Sequence, residues 1–276
     1  MTENKFVVTS FYHFQNLSDY EALKLPILEY CTSLNLKGTI LLAKEGINAT
    51  VSGNREAMDD LYSYLCSKIN IKIQNFKESF AAFQPFLKMK VRLKKEIVAL
   101  GVEDLDTPNL VGQYIKATDW SEFIKSQDVV VIDTRNKYEI RLGSFKEAIN
   151  PNTKTFREFP EWVKKNKDKL EGKKIAMFCT GGVRCEKSTA LMKKEGYNDV
   201  YHLEGGIIKY LEDTKNESQA WYGDCFVFDD RVAVNESLKA CEDLLCEECN
   251  IKLSTDDIRE TAKIKKVICQ DCYDQV

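Results

Sequence analysis

Histidine is scarce in this sequence, which has only His13 and His202 in 276 residues. The two lie in separate predicted domains, so an iron site made of two histidines and a carboxylate is not expected. No G-x-G-x-x-G sequence follows a predicted strand, and the usual fingerprint of a dinucleotide cofactor is therefore missing. We interpret both histidines as structural residues.

Long apolar segments are also missing. No run reaches the roughly 18 apolar residues of a membrane-spanning helix, and the start, MTENKFVVTS, lacks the charged and then apolar pattern of a signal peptide. We therefore expect a cytoplasmic protein with no membrane partner. The net charge of −3 predicts no overall attraction to nucleic acid, so a polyanion would have to meet a local basic surface.

Cysteine, in contrast, is abundant, with ten residues. In a chain that is large, leaderless and rich in lysine and glutamate, reduced thiols are the default expectation. Clustered cysteines then indicate metal binding or catalysis.

The first part, residues 1–105, alternates strand-like and helix-like patterns in the order β-α-β-β-α-β, with a hairpin turn near Glu45 and Gly46. This order predicts a ferredoxin-like (acylphosphatase-like) α+β domain. Near its end, FLKMKVRLKK alternates basic and apolar residues, so one face of a strand is basic. That face is either solvated or a ladder of contacts to nucleic acid phosphates. Its residues are Lys88, Lys90, Arg92 and Lys94.

The second part, residues 113–215, has apolar strands without period-two alternation, separated by helices. This pattern predicts an α/β domain with a parallel sheet buried on both faces. Active sites of such sheets lie beyond the carboxyl ends of the strands. The segments 133–135 and 179–184 both fall at such ends.

The segment CTGGVRCEKS begins with Cys179, directly after a predicted strand and before a predicted helix. Backbone amides and a helix N-terminus lower the pKa of a thiol, and a Gly-Gly pair lets consecutive amides turn toward one anion. We therefore predict a thiolate cradle. Its residues are Thr180, Gly181, Gly182, Val183 and Arg184. Cys185 either packs in the first helical turn or supports redox chemistry at Cys179.

Three charged residues next to this loop have two interpretations each. Asp133 could accept hydrogen bonds that lock the loop, and Arg135 could add positive potential for the thiolate or for RNA. A salt bridge at the end of the strand explains both equally well. Arg184 could contact the substrate or pair with a nearby carboxylate, for which Glu186 and Asp133 are the candidates.

The loop, together with VIDTRNKYEIRLGSFKEAIN upstream and LEGGI downstream, resembles the rhodanese domain, whose active loop begins with a cysteine that carries a persulfide. Along nearly the whole chain, LLAKEGINATVSG, CTGGVRCEKS and WYGDCFVFDDRVAV are similar to the rhodanese-type tRNA uridine hydroxylases. This resemblance implies oxygen-dependent formation of 5-hydroxyuridine at position 34, with molecular oxygen as co-substrate, the tRNA anticodon loop as partner and Cys179 as the catalytic, persulfide-forming residue.

The same sequence features allow three alternative functions. Dual-specificity cysteine phosphatases place five residues between cysteine and arginine, whereas only four separate Cys179 from Arg184, so the cradle suits one sulfur atom better than a phosphate. A general sulfurtransferase carrying a persulfide on Cys179 is the alternative enzyme. A non-catalytic RNA-binding module is the alternative from another class.

The last part, residues 216–276, is dense in cysteine. Two C-x-x-C pairs separated by nineteen residues have the spacing of a structural four-thiolate zinc site. The expected ligands are Cys246, Cys249, Cys269 and Cys272, with Cys225 and Cys241 as possible substitutes.

Overall fold

The structure is a computed structural model, and it describes residues 6–72, 76–215, 220–241, 244–246, 248, 253 and 267–273. Within these ranges no helix combines the length and the apolar character needed to cross a membrane.

The N-terminal domain is a five-stranded sheet covered by two helices. The sheet has the order β4-β1-β3-β2-β5, in which the first four strands follow the predicted ferredoxin-like arrangement. The α+β prediction for this domain is therefore confirmed. Its elements are β1 Phe6–Phe14, α1 Lys24–Ser33, β2 Lys37–Ala43, β3 Gly46–Gly53, α2 Arg55–Ile69, β4 Lys77–Ala81 and β5 Met89–Leu93.

The stretch at the end of this domain forms two strands at opposite edges of the sheet. β4 pairs antiparallel with β1, and β5 pairs parallel with β2. Pro85 lies between them and offers no backbone N–H to a sheet ladder. The chain therefore leaves one edge and crosses to the other, which carries the basic residues of FLKMKVRLKK away from β4.

One face of this sheet packs on the helices and holds the domain core. Ile40, Ile47 and Val51 are fully buried there together with Ile27 of α1 and Leu61 of α2. The helix α2 is capped at its N-terminus by Asn54, whose side chain accepts a hydrogen bond from the amide of Ala57. The other face, which carries Tyr12, is directed toward the second domain.

The second domain contains a parallel sheet, as predicted, and the structure gives it four strands in the order β6-β10-β9-β7. Helices pack on both of its faces, and two clusters of buried side chains form the core. Its elements are α3 Thr107–Leu110, β6 Gln113–Ile115, α4 Ala117–Phe123, β7 Val129–Asp133, α5 Lys137–Ile140, β8 Gly143–Phe145, a 3-10 turn at Phe156–Glu158, α6 Phe159–Lys165, α7 Lys167–Leu170, β9 Lys174–Phe178, α8 Val183–Lys194, β10 Val200–Leu203 and α9 Gly206–Asp213.

The C-terminal region returns to both domains. Its strand β11 pairs with β8, and β12 pairs with β13. Arg231 forms a buried ion pair with Asp229 and donates a hydrogen bond of 2.9 Å to Ser79 Oγ in β4. The region therefore contacts both domains, through β8 in the second domain and through Ser79 in the N-terminal one. Its elements are β11 Trp221–Gly223, β12 Cys225–Phe226, β13 Ala233–Val234 and α10 Gln270–Tyr273.

Candidate active site at the Cys179 loop

Cys179 directly follows β9, and its sulfur lies in a cradle formed by the start of α8. Gly182 precedes the helix with φ at 96°, a left-handed conformation that glycine adopts without strain. This conformation turns the Gly182 amide inward, and its N–H donates to Cys179 Sγ over 3.1 Å. The amides of Arg184 and Cys185 also donate to the sulfur. The loop is therefore built to hold an anion at this position.

The cradle makes Cys179 a thiolate at neutral pH. Burial raises the pKa of Cys179, but the Cys185 thiol, the Arg184 charge and the loop amides outweigh it and lower the pKa to about 5. The loop itself borders open space, because a Cβ placed on Gly181 would meet nothing within 4 Å. A thiolate held by such a loop can act as a nucleophile.

Cys185 donates to Cys179 and stays protonated. Burial and the neighbouring Cys179 thiolate raise the pKa of Cys185 well above its usual value. The hydroxyl of Thr134 lies 3.7 Å from Cys185 Sγ and donates to the carbonyl of Phe178 over 2.9 Å. Cys185 therefore supplies a hydrogen bond to the thiolate from the first turn of α8.

Arg184 is held by a carboxylate that the sequence analysis did not name. Its guanidinium forms two hydrogen bonds of 2.6 and 2.7 Å with Glu139, and both side chains are buried. The Thr180 hydroxyl lies 3.4 Å from the same guanidinium. Arg184 therefore locks the cradle onto α5, and its positive charge lies near Cys179 without being free for a substrate.

Asp133 and Arg135 form a separate buried ion pair. The guanidinium of Arg135 donates to both carboxylate oxygens of Asp133 and to the carbonyl of Gly143 over 2.6 Å, and Ser144 also donates to Asp133. The Arg135 side chain lies over the ring of Trp221. These contacts fasten the end of β7 to β8 and β11, and none of them involves the Cys179 sulfur.

The opposite wall of the site comes from the N-terminal domain and was missed by the sequence analysis. Tyr12 in β1 donates a hydrogen bond of 2.8 Å to Glu186 in α8, and Tyr114 in β6 donates to the same carboxylate. Lys77 in β4 lies with its Nζ 4.6 Å from the centre of the Tyr12 ring. A Cβ on Gly182 would come within 2.9 Å of the Tyr12 hydroxyl. The Cys179 loop therefore faces the N-terminal sheet, and we call the region between Cys179, Tyr12, Lys77 and Glu186 the cleft between the two domains.

A second contact holds this cleft in place. Lys187, one residue beyond Glu186, is buried and pairs with Glu45 of the β2–β3 turn over 2.8 Å and with Glu96 over 2.7 Å. Successive residues of α8 thus bind both the sheet face and the hairpin of the N-terminal domain. The helix that carries the cradle is also the helix that docks the two domains.

Neither histidine is among the main groups that interact with the Cys179 sulfur. His202 is buried, and neither of its ring nitrogens has a hydrogen-bond partner among the described residues. Burial lowers the pKa of His202 to about 3, so it stays neutral. His13 is bonded to the side chain of Gln15.

The basic residues of FLKMKVRLKK share the sheet face that carries Tyr12. Lys90 pairs in register with Thr39, and Arg92 with Leu41. Paired residues in neighbouring strands point to the same face, and this face is opposite to the helices. Lys88, Arg92 and Lys94 are exposed, and Lys90 is half-buried.

Three cysteines of the tail come together. The sulfur atoms of Cys246, Cys269 and Cys272 all lie within 4.8 Å of one another, and the amide of Cys269 donates to the sulfur of Cys246 over 3.3 Å. Such a group of thiols can hold a metal ion. Cys249, the fourth predicted ligand, lies outside the described residues, and Cys225 and Cys241 are not part of the cluster.

The fold and the Cys179 loop together define a protein with a rhodanese-like domain joined to an acylphosphatase-like domain. Residues 116–213 match the Rhodanese-like domain, and residues 6–97 match the UPF0176 acylphosphatase like domain. The chain belongs to the tRNA uridine(34) hydroxylase family.

Family membership rests on relatives that match almost from end to end. The tRNA uridine(34) hydroxylase of Wolbachia sp. subsp. Brugia malayi is 53% identical over 97% of this chain and 98% of its own length. The protein with the same name from Wolbachia pipientis subsp. Culex pipiens is 54% identical over 97% of this chain and 94% of its own. A crystal structure of a rhodanese-related protein from Thermoplasma volcanium is 26% identical and covers 38% of this chain and 95% of its own, with a TM-score of 0.31.

Proposed function

We propose that this protein hydroxylates C5 of uridine 34 in tRNA, with Cys179 as the reactive group. The observation that carries the proposal is the near full-length identity with tRNA uridine(34) hydroxylases, combined with a thiolate cradle that faces the cleft between the two domains. Molecular oxygen is the co-substrate of this reaction. A tRNA substrate also implies that the protein works in the cytoplasm.

The chemistry of Cys179 suits both a nucleophile and a carrier of sulfane sulfur. A thiol with a pKa of about 5 is ionised at neutral pH, and hydrogen bonds from Gly182 and Cys185 stabilise the negative charge of the thiolate. A persulfide on Cys179 would keep its terminal sulfur in the same open space beside Gly181. Either form presents a sulfur atom to a base inserted into the cleft.

A row of polar side chains leads across the N-terminal sheet toward this cleft. Lys90, Thr39, Thr50, Ser10 and Lys77 pair in register one after another across all five strands, and we call this set the polar row. With strands about 4.8 Å apart, it spans roughly 19 Å. Lys90 and the three hydroxyls suit the backbone of a single-stranded loop, and Lys77 ends the row beside Tyr12 at the cleft. We assign the polar row and the exposed basic residues of β5 to the anticodon loop.

The cleft also explains why the base would have to leave its stack. Cys179 is almost completely buried, whereas the neighbouring Thr180 and Gly181 are partly exposed. A base can approach the sulfur if it is turned out of an unpaired loop, which the wobble position allows without breaking a base pair.

The modification state of tRNA tests this function. Cells lacking the protein should lose 5-hydroxyuridine-type modification at position 34, the wild-type gene should restore it, and Cys179→Ala should not. Arg184 has no place in this comparison, because its loss would disturb folding. Normal modification in the deletion strain, or full rescue by Cys179→Ala, would overturn the proposal.

The same strains separate the sulfurtransferase alternative. A general sulfurtransferase would turn over thiosulfate and cyanide efficiently, and its loss would leave position 34 unchanged. The rhodanese-like match alone supports this alternative, whereas the near full-length relatives support hydroxylation.

The assignment of the polar row can be tested by salt-dependent binding of an anticodon stem-loop. Lys90→Gln should weaken binding and reduce the slope of log K against log salt by about one. Lys165→Gln is the matched control, because Lys165 is an exposed lysine of α6 in the second domain and is paired with Glu161. Equal slopes for both variants would remove Lys90 from the RNA contacts.

We also propose that the tail cysteines bind zinc as a structural ion. Three thiols within 4.8 Å of one another suit a soft tetrahedral ion, and the Cys269 amide that donates to Cys246 is the kind of hydrogen bond that supports a thiolate ligand. The C-x-x-C spacing makes Cys249 the fourth ligand. Metal analysis of the purified protein should find about one zinc per chain; Cys272→Ser should lower it, and Cys66→Ser should not.

A further inference from the structure

Lys77 is the one buried lysine among the described residues whose ammonium forms no hydrogen bond or ion pair with another described residue. Its residue is only 8% exposed, although it lies in the edge strand β4. Its Nζ lies 4.6 Å from the centre of the Tyr12 ring, and a Cβ on Gly205 would come within 3.3 Å of its Cε. The aromatic face and the glycine turn thus enclose the side chain without offering its three N–H donors a conventional acceptor.

The other deeply buried basic side chains of the described residues are all paired with carboxylates. The pairs are Arg135 with Asp133, Arg184 with Glu139, Arg231 with Asp229, and Lys187 with Glu45 and Glu96. Burying a charge without such a partner is unfavourable. Burying the ammonium of Lys77 therefore destabilises the fold, and the position of Lys77 indicates a function for its charge.

Lys77 faces the Cys179 cradle from the other domain. The turn that contacts it continues into Gly206, where a Cβ would come within 2.5 Å of the carbonyl of Cys179. The ring below it belongs to Tyr12, whose hydroxyl adjoins Gly182 at the N-terminus of α8. Cys179 and Glu186 both interact electrostatically with the ammonium. Lys77 and the reactive sulfur therefore line the same small cleft.

The surroundings of this cleft select a neutral ligand atom. The Cys179 thiolate and the carboxyl groups of Glu186 and Glu204 face Lys77, so the site already has an excess of acidic groups. These acidic groups would repel a negatively charged phosphate. An uncharged carbonyl oxygen would accept hydrogen bonds from the ammonium without such repulsion. Uracil carries two such carbonyl oxygens, and the one on C4 lies next to the C5 atom that reacts.

We propose that Lys77 is a substrate-binding residue whose ammonium donates a hydrogen bond to a carbonyl oxygen of the target uracil while the base lies against Cys179. The identity of the base rests on the proposed function. A cation at a ring carbonyl also stabilises negative charge that develops on the ring when C5 reacts. Lys77 thus completes from the N-terminal domain a site whose thiolate comes from the rhodanese-like domain.

Binding of an anticodon stem-loop tests this assignment independently of hydroxylation. The probes are the stem-loop with uridine at position 34, with 2-thiouridine or 4-thiouridine there, and with an uncharged methylphosphonate beside it. A hydrogen bond from a charged group contributes about tenfold or more in affinity. Lys77→Gln should therefore bind the uridine stem-loop about tenfold more weakly and should lose most of the discrimination against one thio-substituted base.

Lys209→Gln is the matched control. Lys209 lies beside Lys77 and carries the same charge, but it is ion-paired with Glu212 and Asp213. Its replacement should leave the affinity and the thio effect unchanged. A thermal melt reports folding, and Lys77→Gln should melt no lower than the wild type, because it removes an unpaired buried charge.

Three results would overturn the proposal for Lys77. The first is an unchanged affinity for the uridine stem-loop in Lys77→Gln, and the second is an equal loss of affinity in Lys209→Gln. The third is that Lys77→Gln changes the effect of the methylphosphonate on affinity but not the effect of either thio-substituted base. If the wild type hydroxylates the stem-loop in any of these cases, only the role of Lys77 fails. If the wild type neither binds nor modifies it, the proposed function fails as well.

Discussion

The hydroxyl of Tyr12 in the N-terminal sheet donates a hydrogen bond of 2.8 Å to Oε1 of Glu186 in α8. Glu186 lies four residues after Gly182, the residue whose amide binds the Cys179 sulfur. One helix therefore carries both the cradle and the contact that fixes the opposite domain. The geometry of the cleft depends on this contact as much as on the loop itself.

Tyr12→Phe should weaken the contact between the N-terminal sheet and α8 without changing the loop that holds the Cys179 sulfur. The change removes one hydrogen bond to a buried carboxylate, which is worth about 1 to 3 kcal/mol in unfolding free energy. Tyr114→Phe is the matched control, because Tyr114 donates to the same carboxylate from within the second domain. Urea denaturation should show similar losses for both variants, whereas stem-loop affinity should fall only in Tyr12→Phe. Equal affinity losses would mean that Glu186, rather than the domain contact, matters for RNA.

The ionisation of Cys179 should be measurable as an acidic thiolate. Its pKa of about 5 rests in part on the thiol of Cys185, so Cys185→Ala should raise the pKa of Cys179. Ultraviolet absorbance of the thiolate against pH, taken as the difference from Cys179→Ser, gives the value. Cys31 is the internal reference, because burial raises its pKa to about 12 and it stays protonated throughout. An unchanged pKa in Cys185→Ala would leave the loop amides and Arg184 as the sole causes.

The cradle could be predicted from sequence because all of its parts are consecutive. A strand, two glycines and a helix start fix where the amides of residues 182 to 185 point, so the chemistry follows from local structure. The partner of Arg184 could not be predicted in the same way. Glu186 was a candidate from its proximity in sequence, but residues two apart on a helix do not face each other.

Glu139 left a weaker signal in the sequence. The segment N-K-Y-E at 136–139 has the form of a capping box, and the Glu139 carboxylate does accept a hydrogen bond from the Asn136 amide over 3.1 Å. Its second role depends on a strand and a helix forty-five residues further on. Tyr12 and Lys77 left no signal at all, because their function arises only where two separately folded domains meet.

The two buried ion pairs near the site should respond differently to neutralisation. Asp133→Asn and Glu139→Gln each leave a buried guanidinium without its charge partner, and each should lower the unfolding free energy by about 3 to 5 kcal/mol. Only Glu139→Gln should also change the pKa of Cys179, because Arg184 interacts with the sulfur and Arg135 does not figure among the main contacts of Cys179. Denaturation and thiolate absorbance measured on both variants check this. A shift of the Cys179 pKa in Asp133→Asn would place that pair closer to the chemistry than its contacts indicate.

Substrate affinity should weaken in alkaline solution if Lys77 binds the base. Burial lowers the pKa of Lys77 to about 8, so the ammonium is lost as pH rises through this value. The groups that face it are Cys179, Glu186, Glu204, Lys209 and Tyr12. Cys179 ionises near 5 and the pKa of Tyr12 is raised well above 10, so neither should produce a transition near 8. Stem-loop affinity should fall through about pH 8 in the wild type and stay flat in Lys77→Gln.

Replacing Lys77 with an apolar side chain of similar length should stabilise the fold. The pKa of Lys77 is about 8 in the folded protein, against 10.5 for an ordinary lysine. Below pH 8 both states are protonated, and the fold bears the full penalty of burying the charge, on the order of 3 kcal/mol. Between 8 and 10.5 the unfolded chain binds more protons, so the penalty is relieved as pH rises.

Lys77→Met should therefore unfold at higher urea than the wild type at about pH 7, and the two should converge toward about pH 10. Lys209→Met should show no such pattern, because the neighbouring carboxylates raise the pKa of Lys209 despite its partial burial. Destabilisation of Lys77→Met at neutral pH would show that Lys77 supports the fold. If Lys77→Met is more stable than the wild type but binds the stem-loop more weakly, the Lys77 charge destabilises the fold and serves substrate binding.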